Sequence, residues 1–499
     1  MRCALSPITA PVCQRPALAS VHAASRIVSV GNRIGWSRST RREARETAAP
    51  NSVFSRPTRD RVVAVSVSDI DERSSDASEG QPSQEGGVLA SLGPGLLWAG
   101  AAVGVSHLVQ STRAGARSGF ALVWALVVAN IFKYPFFEVA PRYAAATGES
   151  LIEGYRRLGR GALTLFLLFT IATMFPVQAA ITIVTAGLAA QLFPSVGLSP
   201  PVWAAVLLGV CALVLSVGRY ALLDRLMKIV IITLSLSTIV AVGMAFSGPR
   251  AMRPGFVAPP IWDTAGVSFL VGLMGWMPAP IDIAVWHSLW SLERRKQTGY
   301  APTQREALFD HNVGFVGTAL LALGFLSLGA LVMHGSGEHF PSGAVGFAGQ
   351  LLELYTRSLG EWARLLIGVA AFTTMFSTTI TVLDAYPRVL QHALALRGAP
   401  VGHPSKPRAE SYWGGMALLV CGTLVILFLL ISELKRLVDF ATTMSFLVAP
   451  ALAWINLNVI SGENVPTAAR QGPVLRGLSW AGMAFLLGFG ALFVVWKLR

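Results

Sequence analysis

The chain has 499 residues, of which 53% are hydrophobic and only 13% charged, and its formal net charge is +14. A soluble domain carries about 25% charged residues, so this composition excludes a soluble globular protein and points to a polytopic membrane protein. The basic residues fall in a leader and in short loops rather than on one patch. That excludes a nucleic-acid surface and reads as targeting and topology. Of four cysteines, Cys3 and Cys13 lie near the start, and Cys211 and Cys421 lie in separate apolar stretches. No CxxC pair exists, so neither a disulfide framework nor a thiolate metal site is expected.

Residues 1–88 differ from everything after them. Up to Arg61 they are rich in Arg, Ser and Ala and poor in acids, with clusters such as RSTRREAR and no secretory-type apolar core. This composition predicts an organelle transit peptide, plastid or mitochondrial with plastid slightly favoured, followed by a polar linker (DIDERSSDASEGQPSQEGG). The alternative is a basic regulatory tail on a protein of another membrane. Residues 89–499 form the second expected domain.

From residue 92 onward, runs of about 20 apolar residues recur near 92–111, 119–146, 162–192, 201–218, 222–247, 265–290, 311–334, 362–393, 412–432, 437–460 and 474–496. Eleven spans are therefore expected. Taking alternate loops, one side collects clusters such as Arg156-Arg157-Arg160 and Arg294-Arg295-Lys296. The other holds a thinner set that includes Arg113, Arg117, Lys435 and Arg436. This asymmetry places the N-terminus on the basic side and the end of span 11 opposite.

Spans 1 and 6 stand apart. The first opens with Gly93-Pro94-Gly95 and is interrupted at GVSHLVQST (residues 104–112); the sixth reads VGLMGWMPAPIDIAVWHSLW (271–290). Proline removes a backbone donor and glycine weakens a helix, so neither is expected to be a smooth helix. Two breaks five spans apart are the pattern of two inverted five-helix repeats with a midplane site between them. Ordinary kinks are the plainer reading of either break alone.

Several stretches resemble the NRAMP divalent-metal transporter family, from about Leu92 to Ile460. GPGLLWAG and TRAGARSGFALVWALVVAN are similar to its first helix and the start of its second, and PRYAAATGESLIEGYRR to the stretch after that. REALFDHNVGFVGTALLALG resembles the start of its seventh helix, and LLELYTRSLGEWARLL with FSTTIT the approach to its eighth. The resemblance implies an all-α polytopic membrane protein with the LeuT-type 5+5 inverted repeat plus an eleventh helix. It also implies a divalent cation as cargo, often moved with protons, and no bound cofactor.

The departures fall on the chemistry. Where the family carries Asp-Pro-Gly-Asn in helix 1, this chain has Gly104, Val105, Ser106 and His107. In helix 6 Met277-Pro278 survives, but Ala279-Pro280 follows, and His287-Ser288 is three residues late for the family's pattern. The family's glutamine in helix 10 is replaced by Thr443. The candidate ion-binding residues are thus Gly104, Ser106, His107, Met274, Met277, Asp282 and Thr443. His107, Met277 and Asp282 are the metal-ligand candidates, with carbonyls near Val103, Gly104 and Met274 as further oxygens.

Each candidate has a plainer reading. His107 is equally a packing residue, Asp282 an N-cap of the second half-helix, and His287 an interface anchor beside Trp286 and Trp290. His287 and Asp384 are the proton or path candidates; Asp384 follows the hydroxyl run Ser377, Thr378, Thr379 and Thr381. Lys133 and Glu138 flank Pro135 and are read as structural, either neutralising each other or reaching other helices. Asp439 is read as a first-turn acid of span 10. The leading expectation is secondary-active transport of a divalent metal cation (Mn, Fe or Mg class) across an organelle membrane. The alternatives are a LeuT-fold transporter of another small solute and a non-transporting sensor or scaffold, like the NRAMP-like domain of the plant ethylene-signalling membrane protein. An enzyme is not expected, because no HExxH, GxSxG or phosphate-cradling loop occurs.

Overall fold

Apolar runs punctuated by glycine and proline leave the backbone no partner in hydrocarbon but itself, so the chain folds into helices. The computed structural model describes residues 93–217, 220–248, 253–338, 340–398, 408–430 and 433–498. The expected leader and linker lie outside the described residues. Span 1 is α1 (Pro94–Ala102), a π-helical turn Ser106–Ser111 and α2 (Thr112–Ser118). Span 2 is α3 (Val123–Phe137) and α4 (Val139–Thr147), and a short basic-side helix, α5 (Leu151–Leu158), leads into α6 (Arg160–Leu192). Then come α7 (Pro200–Ser216), α8 (Tyr220–Ser247), and span 6 as α9 (Thr264–Gly275) and α10 (Ile283–Thr298). The remainder is α11 (Gln304–Leu328), the surface helix α12 (Ala344–Leu359), α13 (Ala363–Gly398), α14 (Ala409–Val425), α15 (Leu434–Ile460) and α16 (Pro473–Leu498).

Each expected span contains helix; span 2 only bends at Glu138, which keeps helical backbone angles, whereas spans 1 and 6 are interrupted by non-helical residues. Seven of the described helices are long and apolar enough to cross a membrane by themselves. One of the seven, Ser106–Thr147, runs from the second half of span 1 through span 2, and shorter apolar helices cover Pro200–Ser216, Ile232–Ser247 and Thr264–Gly275. Spans 3 and 8, equivalent in the two repeats, pack on each other as α6 and α13. Their apolar windows are 72% and 67% buried, against 22% for α14 and 28% for α16. The bundle centre therefore lies between α6, α13 and the two broken spans, while α14 and α16 turn much of their surface to lipid.

Span 1 is held to span 7 by glycines on both sides of its break. A methyl group on Gly95 would meet the backbone carbonyl of Asp310, and one on Gly314 the carbonyl of Gly95. At the other end, Gly115 faces the Leu326 carbonyl and Gly329 the Thr112 carbonyl. Small residues let helices approach this closely, and van der Waals contact is then the main attraction available in lipid. The start of α1 is capped from α11: the N–H groups of Gly93 and Gly95 donate to Oδ1 and Oδ2 of Asp310 at 3.0 and 2.5 Å. These are orphan donors that a helix N-terminus must place somewhere.

The basic-side loop before α5 is closed by a Ser150/Glu153 capping box. Beside it Arg157 donates to Glu149 and holds that carboxyl below the usual range.

The glycine contacts give a direct test. Gly115→Ala should lower the melting temperature of the detergent-solubilised protein, because overpacking costs about 1–3 kcal/mol. Gly317→Ala is the control: it lies in α11 with no atom within 4 Å of an added methyl, so it should leave the melt unchanged or raise it slightly. Equal effects of the two would show that the helix 1–7 contact is not close-packed.

Candidate functional site

The two breaks face one another. In span 1 the helix stops at Val103, whose φ and ψ are −75° and 91°, and resumes through Val105 into the π turn. In span 6 residues 276–282 are non-helical. A cavity of about 20 Å³ lies between them, lined from span 1 by Gly104, Val105 and Ser106 and from span 6 by Trp276, Pro280 and Trp286, with Thr378 of α13 closing one wall. Room of that size accommodates about one water-sized species.

Each break is tended by a neighbouring helix. The Thr378 hydroxyl shares its one proton among the Thr374 carbonyl of its own helix at 3.1 Å and the Val103 and Gly100 carbonyls of span 1 at 3.2 and 3.3 Å, and its methyl packs against Gly104. In span 6 the Lys133 ammonium of α3, fully buried, donates to the carbonyls of Met274 (3.2 Å), Gly275 (2.9 Å), Met277 (2.9 Å) and Ala279 (2.8 Å). The Met274 oxygen expected to face a metal is thus already bonded to a cation of the chain itself. Lys133 does not pair with Glu138, which bonds Arg142 at 2.6 Å and Gln471 at 2.8 Å.

His107 turns toward span 7. Its Nε2 is 3.0 Å from the Thr318 carbonyl and its Nδ1 2.7 Å from the Ser106 hydroxyl. Both ring nitrogens are therefore occupied, and Ser106 also reaches the Ala102 carbonyl at 3.0 Å. Met277 is fully buried. Among the described residues no group of three His, Cys, Asp or Glu side chains is placed to hold a metal ion.

Asp282 is different. It occupies the residue before α10, the position of an N-cap, and its side chain makes no cap hydrogen bond there. Oδ2 accepts from Tyr386 at 3.1 Å, while Oδ1 is buried without a hydrogen-bond partner. A second cavity of about 10 Å³ adjoins it, lined also by Thr170, Thr173, Pro280 and Ser445. Those three hydroxyls donate to backbone carbonyls of Phe166, Phe169 and Ala441 at 2.9, 2.8 and 3.0 Å. Having spent its one proton, each has only lone pairs left to offer; that of Ser445 also accepts from Trp276 Nε1 at 2.8 Å.

On the side opposite the basic loops, a vestibule of about 620 Å³ descends between α2, α9 and α15, and Thr443 lines it. Arg113 crosses it to Asp439 (2.7 and 3.3 Å) and to Gln110 Oε1 (2.8 Å), and its guanidinium lies 5.2 Å from the centre of the Phe269 ring. Asp439 is thus one half of an ion pair between spans 1 and 10 rather than a first-turn acid.

Asp384 and His287 each have a neighbour that the sequence did not indicate. Asp384 is engaged by Arg388 at 3.1 and 2.8 Å and by the Tyr412 hydroxyl at 2.6 Å, an ion pair within the second half of α13. His287 is no interface anchor, being 1% exposed. It packs against His311 with ring centroids 5.3 Å apart, and none of the four ring nitrogens has a partner. Sequence reading missed His311 and the role of Lys133. The available signal for Lys133 was its charge within a span, where function is the default reading.

The sequence pattern of the Nramp family, described as "Natural resistance-associated macrophage protein-like", matches residues 95–496. The Uncharacterized protein PM0681 of Pasteurella multocida is 37% identical over 411 residues, covering 81% of this chain and 92% of that protein. The rice protein Metal transporter Nramp3 is 26% identical over 326 residues, 63% of this chain and 58% of that one. Among solved structures, a mutant of the Eremococcus coleocola manganese transporter superposes with a TM-score of 0.62 at 15% identity, covering 81% of this chain and 86% of that chain.

Proposed function

The chain belongs to the Nramp family, and from that membership we propose that it carries a divalent metal cation of the Mn, Fe or Mg class, coupled to protons, by alternating access around the gap between its broken helices. It is a multi-pass integral membrane protein. The names of its relatives support a metal as cargo. The observation that carries the reading is the buried carboxylate oxygen Asp282 Oδ1, left without a partner beside the span 6 break and among hydroxyl oxygens.

A carboxylate and hydroxyl lone pairs are hard oxygen donors, which suit Mg²⁺ and Mn²⁺ better than soft metals. The cavities at the breaks have room for about one small species each in this conformation, which favours an ion over an organic solute. The proposed coupling proton is taken by the His287–His311 pair, whose unsatisfied ring nitrogens are costly where they stand. Residues 1–88, basic and acid-poor and then polar, support placement in an organelle membrane, plastid over mitochondrion, with the transporter domain at 89–499.

Reconstituted in liposomes, the protein should give saturable uptake of Mn²⁺, Fe²⁺ or Mg²⁺ that responds to a pH step. Absence of flux for all three sinks the proposal. Asp282→Asn keeps the shape and removes the charge; it should weaken the apparent metal affinity by more than about tenfold, the loss that removing even an outer-shell partner brings. His311→Gln should retain metal binding while abolishing the response to the pH gradient.

A further inference from the structure

The Lys133 ammonium meets four backbone carbonyls at the broken centre of span 6, at 3.2, 2.9, 2.9 and 2.8 Å. An ammonium has three protons, so four acceptors exceed what its hydrogen bonds require. Four converging carbonyl oxygens instead describe a cation site, of the kind that replaces a hydration shell in ion-conducting proteins. Two of the oxygens belong to Met274 and Gly275, at the C-terminal end of α9, where the helix dipole favours positive charge. The others belong to Met277 and Ala279 in the unwound segment. Mg²⁺ and Ca²⁺ take oxygens at about 2.0–2.6 Å, so the cradle as built is sized for something larger and singly charged. The Phe137 ring centre is 5.9 Å from Nζ.

We propose that Lys133 is a tethered monovalent cation: its ammonium permanently occupies a four-carbonyl site in the break of span 6 that would otherwise take a free K⁺ or ammonium ion. In transporters with paired broken helices, exposed carbonyls and half-helix C-terminal ends coordinate coupling cations. Here that position is filled by covalent attachment from span 2. Two consequences follow. The break stays formed without any dissolved monovalent cation, and the Met274 and Met277 carbonyls are withheld from the metal, leaving Asp282 to bind it. The first consequence holds whatever the cargo is; the second rests on the metal-transport reading.

The test uses the full chain purified in detergent, with melting measured in KCl, ammonium chloride, n-butylammonium chloride and choline chloride at one ionic strength. Wild type should melt alike in all four. Lys133→Met, which keeps most of the stem and loses the charge, should melt lower than wild type in choline. Lys133→Ala opens the space of the stem as well. Its melting temperature should fall in choline and rise saturably with butylammonium or K⁺, as it does for any ligand that binds only the folded state. Lys133→Arg, which keeps the charge, should not acquire that dependence. The proposal is overturned if both neutral variants melt like wild type in choline, or if no cation restores Lys133→Ala. In liposomes, flux of the alanine variant should require K⁺ or butylammonium while wild-type flux does not. A wild type without metal flux defeats the transport reading and leaves the melting result to stand or fall separately.

Discussion

A helix that breaks inside a bilayer leaves carbonyls and N–H groups where no water can take them, and each unsatisfied group costs several kcal/mol. The architecture follows from how two such breaks are satisfied. Span 6 is served by Lys133 from span 2. Span 1 is served by Thr378 from span 8, and just beyond its break His107 is held by the Thr318 carbonyl of span 7. Spans 2 and 7 occupy equivalent places in the two five-helix repeats, so each repeat's broken helix is tied to the second helix of the other. The tie differs in chemistry: an ammonium donates to carbonyls in one, and an imidazole meets a carbonyl in the other.

The same logic explains why the glycines lie where they do. A break can be closed by a neighbour only if that neighbour's backbone is near, and Gly95, Gly115, Gly314 and Gly329 bring spans 1 and 7 together on both sides of the gap. The Arg113–Asp439 pair performs a related task across the vestibule, joining α2 to α15 through a side-chain contact at 2.7 Å. The half-helix α2 is therefore fixed at its flank by glycine packing and over the vestibule by charge.

What the sequence made legible was local. Gly93-Pro94, Gly104 and the Met277–Pro280 stretch mark helix breaks because proline and glycine act on the backbone where they stand. The eleven spans follow from apolar length alone. Partnerships were less legible because they join residues far apart along the chain: Lys133 to a segment more than a hundred positions on, His107 to Thr318, Asp439 to Arg113. Lys133 and Glu138 invited a pairing by proximity, and each found other partners. His287 beside two tryptophans resembled an interface anchor until His311, from another helix, lay against it. Asp384 has one partner within reach of sequence reading, Arg388 four residues on, and one from the next span, Tyr412.

The two ends of the broken sixth helix carry opposite partial charges, and the chain supplies a matching group to each. The C-terminal end of α9 presents carbonyls and meets the Lys133 ammonium; the N-terminal end of α10 presents N–H groups and stands beside the Asp282 carboxylate. A positive cargo entering this gap finds its carbonyl end already occupied by positive charge and its carboxylate end with one oxygen unbonded. On the proposed reading the ammonium repels a positive cargo, and the carboxylate, whose cavity Thr170, Thr173 and Ser445 also line, attracts it. The loss of the acid from span 1 then has a counterpart in span 6. On the proposed reading the carboxylate at the break is that of Asp282, with the Lys133 ammonium at the opposite half-helix end.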